Sequence, residues 1–345
     1  MGRHLSELGI PASLKAATAI SRRDDATFSV TLDPAFSIGA VPNGGYIASI
    51  FLAVAEAYLG PRGHPDTIAA HWQFLSRARN GSAVLKVSEA KMGRAMSVLH
   101  VTLHQPDEAS KSSPTLKASD GDGDGDGVIV VAAYLTNRSM ADDVAASSIS
   151  ISLPTGWVEP HRPPPVMDYD VLRRQQRDAD WERMYVWLMG RLPSLHNVEF
   201  YRRRVRHDQS GMLDLWIRLA VGEAFTAISL GYVADIAVAL LPETYRQPMS
   251  TRPVPNGMLE CNKAFWYPTI TMNLDVKRKL PTKGVEWLRL RITSKTIQNG
   301  RFDAEVLIFD GDDRLVATSY HVAMIVGAER NYAGRRSAPG LKPKV

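Results

Sequence analysis

The sequence of 345 residues contains a single cysteine, Cys261, and few of the features that mark a secreted or membrane protein. One cysteine can form neither an internal disulfide nor a cysteine-based metal site, which favours a reducing compartment. The N-terminal segment lacks the apolar core of a signal peptide, and no apolar run approaches the length of a membrane-spanning helix. The C-terminal residues carry no retention or peroxisomal tripeptide. We therefore expect a cytoplasmic protein that does not bind a membrane.

Charge of one sign is not concentrated in any part of the chain. Lys and Arg together number 41 and Asp and Glu 36, so the formal net charge is +5. The basic residues form short clusters, such as 202–204 and 277–279, and no recognised nucleic-acid motif accompanies them. This pattern favours an anionic small-molecule substrate, or simple solubility, over a nucleic-acid partner.

Motifs for metal binding and for covalent catalysis are also missing. The GDGDGDG repeat within residues 106–127 lacks the spaced ligands and the terminal Glu of a calcium loop. Because this segment is of low complexity and too polar to pack, we predict a disordered insertion. No G-x-S-x-G nucleophile elbow occurs, which argues against a serine nucleophile of that kind. The sequence thus predicts neither a metal nor another cofactor.

What the sequence does contain is a strongly apolar helix predicted over residues 41–60. Ser49 and Glu56 are its only polar side chains after the first turn, so the helix should be covered by other structure on all sides. Its entry is Asn43, Gly44, Gly45 and Tyr46. A first turn built from glycine can offer backbone N–H groups to an oxygen anion or a polarised carbonyl. The same glycines could instead serve only close packing, and we keep these residues as substrate-binding candidates.

A second apolar helix, predicted over residues 223–241, contains one acid, Asp235, without a charged neighbour. A lone buried carboxylate costs several kcal/mol unless it is hydrogen-bonded or neutralised. Asp235 either turns to solvent or has partners. Strands predicted over 269–280 and 315–326 could supply them, because Thr271 and His321 lie within these segments. Alternation places Thr271 opposite the apolar residues of its strand, which fits a site at a domain seam or ordinary solvent exposure.

The two halves of the chain follow the same order of elements. Each has strands, an apolar helix and an antiparallel meander, and each has a Gly-Arg hairpin, at Gly93-Arg94 and at Gly300-Arg301. An internal duplication is the simplest explanation. We predict an N-terminal unit over 1–137, a surface connector without its own core over 138–197, a C-terminal unit over 198–327 and a disordered tail over 328–345.

Several motifs give the chain a resemblance to the double hotdog acyl-CoA thioesterases of type II and their fungal thioesterase-like relatives. The motifs are PNGGYIAS, HWQFLSRA and MGRAMSVLHVTLHQ in the first half, and GYVADIAVALLP, the spacing of Thr271 to Trp287 and GDDRLVATSYH in the second. The resemblance covers roughly residues 26–105, 128–137 and 198–327. It implies an α+β fold of two antiparallel sheets, each wrapped around a long hydrophobic helix.

The resemblance also implies a site and a substrate. In the family, an Asp, a Ser or Thr and a Gln hold the water that attacks a thioester carbonyl. Carried over by position, these roles fall to Asp235 and Thr271, whereas His321 stands where the family has Gln. His71 matches a family histidine and is a further substrate-binding candidate, although burial beside Trp72 is a better explanation of it than catalysis. The implied partner is an acyl-CoA or acyl-carrier thioester, and relatives suggest a homo-oligomer.

The histidine in place of glutamine leaves three functions open. The first is thioester hydrolysis by a water that Asp235 activates. The second is other acyl chemistry, such as dehydration, cyclisation or acyl transfer in a biosynthetic pathway, by an Asp235–His321 pair. The third is a non-catalytic acyl-binding module. His321 could also be a strand histidine bonded to a neighbour, and Thr271 a residue of the outer sheet face.

Overall fold

The structure is a computed structural model that describes residues 10–106, 127–140, 153–166, 168–185, 192–205, 211–246, 259 and 263–332. Most of the predicted insertion, parts of the predicted connector, the end of the predicted tail and Cys261 lie outside the described residues.

The N-terminal half forms a sheet that packs on one long helix. Its elements in chain order are α1 (Leu14–Ala17), β1 (Ser21–Arg22), β2 (Thr27–Leu32), β3 (Ser37–Ile38), β4 (Val41–Pro42), α2 (Gly44–Leu59), β5 (Asp66–Phe74), β6 (Gly81–Met92), β7 (Ser97–Gln105) and β8 (Val128–Arg138). The predicted helix over 41–60 is α2. Because α2 is apolar nearly all round, its residues from Gly45 to Ala55 are all buried.

The C-terminal half repeats this plan with a shorter helix. Its elements are α3 (Tyr169–Gln175), β9 (Trp181–Met184), β10 (Val198–Arg203), β11 (Met212–Leu219), α4 (Leu230–Asp235), α5 (Leu240–Glu243), β12 (Phe265–Trp266), β13 (Thr269–Val276), β14 (Leu288–Thr293), β15 (Ile297–Gln298), β16 (Arg301–Phe309), β17 (Leu315–Met324), β18 (Val326–Gly327) and α6 (Glu329–Tyr332). Short 3₁₀ turns occupy Pro34–Phe36, Gly60–Arg62 and Pro193–Asn197.

The two sheets are joined edge to edge into one antiparallel sheet. Its strand order is β1-β2-β6-β7-β8-β5-β13-β17-β16-β14-β11-β10-β9, and β15 pairs with β16. The junction is between β5 and β13, where Trp72 lies opposite Met272. The α+β class is therefore as predicted, but the separate sheets of the prediction are halves of one sheet. Joining them removes two exposed sheet edges at the centre of the molecule.

The helix predicted over 223–241 is wrong in its extent. The α-helical part begins at Leu230 and ends at Asp235, and the chain continues in tighter turns to α5. Beyond Asp235 the backbone bonds run to the third residue back, as in Val238 N–H to Asp235 C=O at 3.1 Å. Such tightening is typical of a strained or functional point in a helix. It occurs at the acid that the sequence singled out.

The residues expected to form a surface connector contribute to the sheet and to a small core. Strand β9 pairs with β10 at the sheet edge. Trp181 of β9 and Leu172 of α3 pack with aromatic residues of the C-terminal half in a second apolar cluster. Glu159, from the same stretch, binds Arg289 of β14 with both carboxylate oxygens, at 2.7 and 2.9 Å. The sequence predicted a surface connector because this stretch combines a Ser/Ala-rich run, a proline run and a charged helical pattern.

Residues 328–332 of the predicted disordered tail are folded. Helix α6 is folded, and Asn331 is 5% exposed. Its side-chain amide accepts from Ala40 N–H and donates to Ile38 C=O, both at 2.8 Å. One asparagine thus bonds to the backbone of the β3–β4 hairpin, which leads directly into α2.

Candidate active site

Asp235 lies where the central helices of the two halves cross. Small residues allow the crossing, because a Cβ atom on Gly45 would lie 2.5 Å from the carbonyl oxygen of Gly231 and 2.6 Å from the Cβ of Asp235. In return, a Cβ on Gly231 would lie 2.5 Å from the amide of Ser49. The close approach brings the end of α4 onto the first turn of α2, so residues of both halves meet in one place.

Three donors hold the buried carboxylate of Asp235. Its Oδ2 accepts from the Asn43 side-chain amide and from the Gly45 backbone N–H, each at 2.9 Å. Its Oδ1 accepts from the Thr269 hydroxyl, also at 2.9 Å. The positive end of the α2 dipole adds to the favourable environment. Asp235 is therefore not a solvent-facing helix residue, and its burial is compensated by hydrogen bonds from both halves.

The threonine beside Asp235 is Thr269 and not the predicted Thr271. A β-bulge explains the difference, because β13 carries one extra residue against β17, so that Thr269 lies opposite Ala323 and Thr271 opposite Val322. Ala323 is buried and Val322 is exposed. Without the bulge the two threonines would share the outer face; with it Thr269 turns to the inner face.

His321 lies next to Asp235 on β17, with 3.7 Å between its Nδ1 and the Oδ1 of Asp235. Its Nε2 is 2.9 Å from the Ser319 hydroxyl oxygen, and that hydroxyl donates to the Asn273 carbonyl at 2.5 Å. Burial lowers the pKa of His321, while the Asp235 charge and the nearby Ala234 carbonyl act in the opposite direction. Burial thus favours the neutral form of the imidazole.

A cavity of about 310 Å³ opens beside this cluster. Asp235, Thr269, Asn43 and Gly44 are among its lining residues, whereas His321 is not and lies behind Asp235. The remaining walls are largely apolar and include Ile38, Val41, Ile47, Phe74, Val131 and Leu240. A buried carboxylate at one side of an apolar pocket is the usual arrangement of a small-molecule site.

Two predicted substrate-binding residues lie elsewhere or are already engaged. His71 is exposed on the outer face of the sheet, where its Nδ1 is 2.8 Å from the Asn273 side-chain oxygen. It is neither buried beside Trp72 nor part of the cavity lining, because alternation in β5 sends the two side chains to opposite faces. The Tyr46 backbone N–H donates to the side-chain oxygen of Asn43 at 2.9 Å.

The Tyr46 side chain is a core group that does not line the cavity. Its hydroxyl accepts from the Asp33 amide and donates to the Ala17 carbonyl, and burial raises its pKa to about 12.

Of the other predicted substrate-binding residues, Asn43 and Gly45 contact Asp235, and Gly44 lines the cavity. The functional residues that the sequence did not identify are Thr269 and Ser319. A Thr-Ile-Thr run gives no sign of a bulge, and Ser319 reads as an ordinary strand residue.

Among the residues that the structure describes, no three His, Cys, Asp or Glu side chains are grouped as a metal site would require. None of the described helices is long and apolar enough to cross a membrane.

Sequence comparisons match both halves of the chain to one family. A family model described as the acyl-CoA thioesterase N-terminal domain matches residues 32–119, and one described as the acyl-CoA thioesterase C-terminal domain matches residues 163–325. A thioesterase-like protein, TwmA from Talaromyces wortmannii, is 37% identical over 348 aligned positions, which cover 95% of this chain and 96% of that protein.

Solved structures resemble the fold at low sequence identity. A protein described as a thioesterase II from Thermobifida fusca matches with a TM-score of 0.61 at 19% identity, covering 92% of this chain and 99% of that one. A protein with a hot dog fold from Alicyclobacillus acidocaldarius has a TM-score of 0.59 at 17% identity, with 92% and 98% covered. The double hotdog fold predicted from the sequence is thereby confirmed.

Proposed function

Because the chain belongs to the acyl-CoA thioesterase family, we propose that it hydrolyses an acyl thioester in the cavity beside Asp235. The observation that supports this most directly is the environment of the Asp235 carboxylate. It is buried, it is held by donors from both halves, and it borders an apolar cavity fit for an acyl chain.

In the proposed reaction Asp235 is the general base. Its Oδ2 is occupied by two N–H donors, so Oδ1 is the oxygen assigned to the attacking water. As the water oxygen bonds to the thioester carbon, its proton passes to the carboxylate. Collapse of the tetrahedral intermediate then breaks the C–S bond, and the same proton neutralises the leaving thiolate.

The first turn of α2 supplies the electrophilic assistance in this proposal. The Gly45 and Tyr46 amides already donate to Asp235 and Asn43. We therefore assign the Gly44 amide to the carbonyl oxygen of the substrate, where negative charge develops. Gly44 lines the cavity and has no side chain to block this approach.

The substrate is an acyl thioester, and its carrier is either CoA or an acyl-carrier protein. A cytoplasmic location and assembly into homo-oligomers remain predictions from the sequence. The mostly apolar cavity lining favours an acyl chain without charges near the carboxyl end.

A thiol-release assay with a panel of acyl-CoAs tests the proposed function. Asp235→Asn keeps the size of the side chain but removes the base, so kcat should fall by about 10²–10⁴-fold. Asp66→Asn is the matched control, because Asp66 is another buried aspartate, 8% exposed, outside this cavity. Equal turnover by wild type and Asp235→Asn, with Asp66→Asn also active, would contradict the proposal.

The Asp235–His321 pair favours one alternative, a proton transfer beside the thioester carbonyl such as dehydration. The two side chains meet at 3.7 Å and could exchange a proton. Under this alternative the acyl chain changes its unsaturation and no free thiol appears. Mass analysis of the acyl product from the same panel separates the two reactions. A non-catalytic binding module would bind ligand without either product, and Asp235→Asn would leave that affinity intact.

A further inference from the structure

The hydrogen-bond chain behind Asp235 fixes where His321 carries its proton. A serine hydroxyl has a single hydrogen. That of Ser319 is directed to the Asn273 carbonyl oxygen at 2.5 Å. Toward His321 Nε2, at 2.9 Å, the Ser319 oxygen can therefore only accept. It follows that Nε2 bears the hydrogen of the neutral imidazole.

The other ring nitrogen, Nδ1, then presents a lone pair to the Asp235 carboxylate, which lies between His321 and the cavity. Nδ1 has no hydrogen-bond partner among the described residues and lies 3.7 Å from the Asp235 Oδ1. Asp235 is the charged group that acts on His321, and the Ala234 carbonyl is also near. Two proton acceptors thus face each other across a gap that is too long for a hydrogen bond.

We propose that Ser319 is a positioning residue that holds His321 in the Nε2–H tautomer, so that Nδ1 and the Asp235 carboxylate act together as the acceptor of the water proton. The inference rests on the proposed function. A glutamine at the His321 position, as the family has, can offer an amide N–H toward Asp235. The locked histidine offers only a lone pair in its neutral form, so the exchange changes a donor into an acceptor.

The reaction remains balanced with this pair in place. One water O–H bond breaks while the water oxygen bonds to the acyl carbon. The released proton passes to Asp235 Oδ1, and the two side chains then move closer so that Oδ1–H donates to the His321 Nδ1 lone pair. The proton leaves to the sulfur as the C–S bond breaks, which returns both groups to their starting states.

Nitrogen-15 NMR of the histidine side chains tests the lock without any substrate. The chain has nine histidines, and the signal that disappears in His321→Gln is that of His321. At neutral pH we expect a protonated-type Nε2 and an unprotonated-type Nδ1. In Ser319→Ala the two tautomers should mix. A wild-type signal from the Nδ1–H form, or from the doubly protonated form, would overturn the inference even in an active hydrolase.

The kinetic constants and their pH dependence give a second test, because loss of a serine with a purely structural role would not shift the pH profile. Ser319→Ala should lower kcat with little change in KM, and Ser319→Thr, which retains the hydroxyl, should restore it. The acid limb of kcat/KM should move to lower pH in Ser319→Ala, because the imidazolium loses its acceptor and the Nδ1–H tautomer of the neutral ring becomes available.

The matched control is Ser97→Ala, which breaks another buried serine–histidine contact, 2.8 Å from Ser97 Oγ to His64 Nδ1. It should leave the pH profile unchanged. An unaltered pH profile in Ser319→Ala, with the fold intact by circular dichroism, would contradict the assignment. Loss of thiol release in wild type would contradict the proposed hydrolysis but not the tautomer measured by NMR.

Discussion

At the scale of single residues, the site depends on hydrogen bonds to one buried carboxylate, that of Asp235. An isolated buried Asp is unfavourable by several kcal/mol, and each charge-assisted hydrogen bond returns part of that cost. Asn43, Gly45 and Thr269 supply three such bonds to Asp235. Two of these donors belong to the N-terminal half and one to the C-terminal half, so the carboxylate also ties the halves together.

The two threonines of β13 give a direct test of the bulge. Thr269→Ala removes a hydrogen bond to a charged group, which is worth about 1.5–3 kcal/mol. If that bond persists in the transition state, kcat/KM should fall by roughly 10–100-fold. Thr271→Ala is the matched control on the same strand and should stay within about twofold of wild type, as surface substitutions generally do. The opposite ranking in the thiol-release assay would mean that Thr271 serves Asp235.

Sequence patterns could predict the types of residue that the site needs, but not which of two identical residues on one strand lies beside Asp235. Asp235 is evident because a lone acid in an apolar helix needs partners, and His321 because the resemblance places it where the family has a glutamine. Thr269 could not be chosen over Thr271, since strand alternation treats residues two apart as equivalent. The bulge that separates them depends on pairing with β17, which lies about fifty residues further along the chain.

At the scale of elements, the crossing of α2 and α4 positions the proposed catalytic groups. The Ser49 hydroxyl accepts from the Tyr232 amide at 2.8 Å, so a side chain of one helix bonds to the backbone of the other. Gly45 and Gly231 permit this approach. The sequence indicated two apolar helices with small residues. It could not show that their small faces meet, because packing between halves leaves no periodic signal.

Gly45→Ala tests how closely these helices must approach. The new methyl would meet the Gly231 carbonyl oxygen at 2.5 Å, and because this is backbone the helices must move apart. Overpacking of this kind costs about 1–3 kcal/mol of unfolding free energy. Gly60→Ala is the matched control, because Gly60 has helical dihedrals and no atom within 4 Å of a Cβ.

We expect urea unfolding to show a lower midpoint for Gly45→Ala and an equal or higher midpoint for Gly60→Ala. For Gly60→Ala the free energy of unfolding should be unchanged or raised by about 0.4–1 kcal/mol. Activity of Gly45→Ala should also fall, because Asp235 moves with α4. A fully stable and active Gly45→Ala protein would show that the crossing is loose.

The C-terminal segment binds together three walls of the cavity. Strand β18 pairs with β12, whose Phe265 and Trp266 line the cavity. Asn331 binds the β3–β4 hairpin on the opposite side. The Arg330 carbonyl accepts from Arg77, also a lining residue. The sequence from 328 onward is charged and contains glycine, so propensity alone predicted disorder, whereas contacts of Arg330 and Asn331 hold residues 328–332 in place.

At the scale of the whole molecule, the duplication has produced two unequal sites. The runs Gly45-Tyr46-Ile47-Ala48-Ser49 and Gly231-Tyr232-Val233-Ala234-Asp235 align residue by residue, which places Ser49 where the second helix has its acid. Ser49 has no titratable group and its oxygen is used by a backbone amide. The first half therefore lacks a base at the position that corresponds to Asp235.

The corresponding cavity is also much smaller. It measures about 30 Å³, against about 310 Å³ beside Asp235. Asp66 lines it and is bound by Lys279 at 2.7 Å and by the Met140 amide at 2.8 Å. A cavity of this size has no room for an acyl chain, so we expect the second position to retain the symmetry of the fold without binding substrate.

One acyl ligand should therefore bind per chain. A non-hydrolysable thioether analogue of the best acyl-CoA substrate, titrated calorimetrically, is expected to give a stoichiometry near one for wild type and for Asp66→Asn. A stoichiometry of two would contradict the conclusion that the small cavity binds no acyl chain.

The asymmetry follows from the contact between the two helices. The crossing brings Asp235 of α4 to the start of α2, and the same crossing packs Ser49 against α4, where its hydroxyl accepts from the Tyr232 amide. In this double hotdog, the Asp235 end of the helix crossing thus carries the proposed catalytic site, while the Ser49 end holds the two halves together.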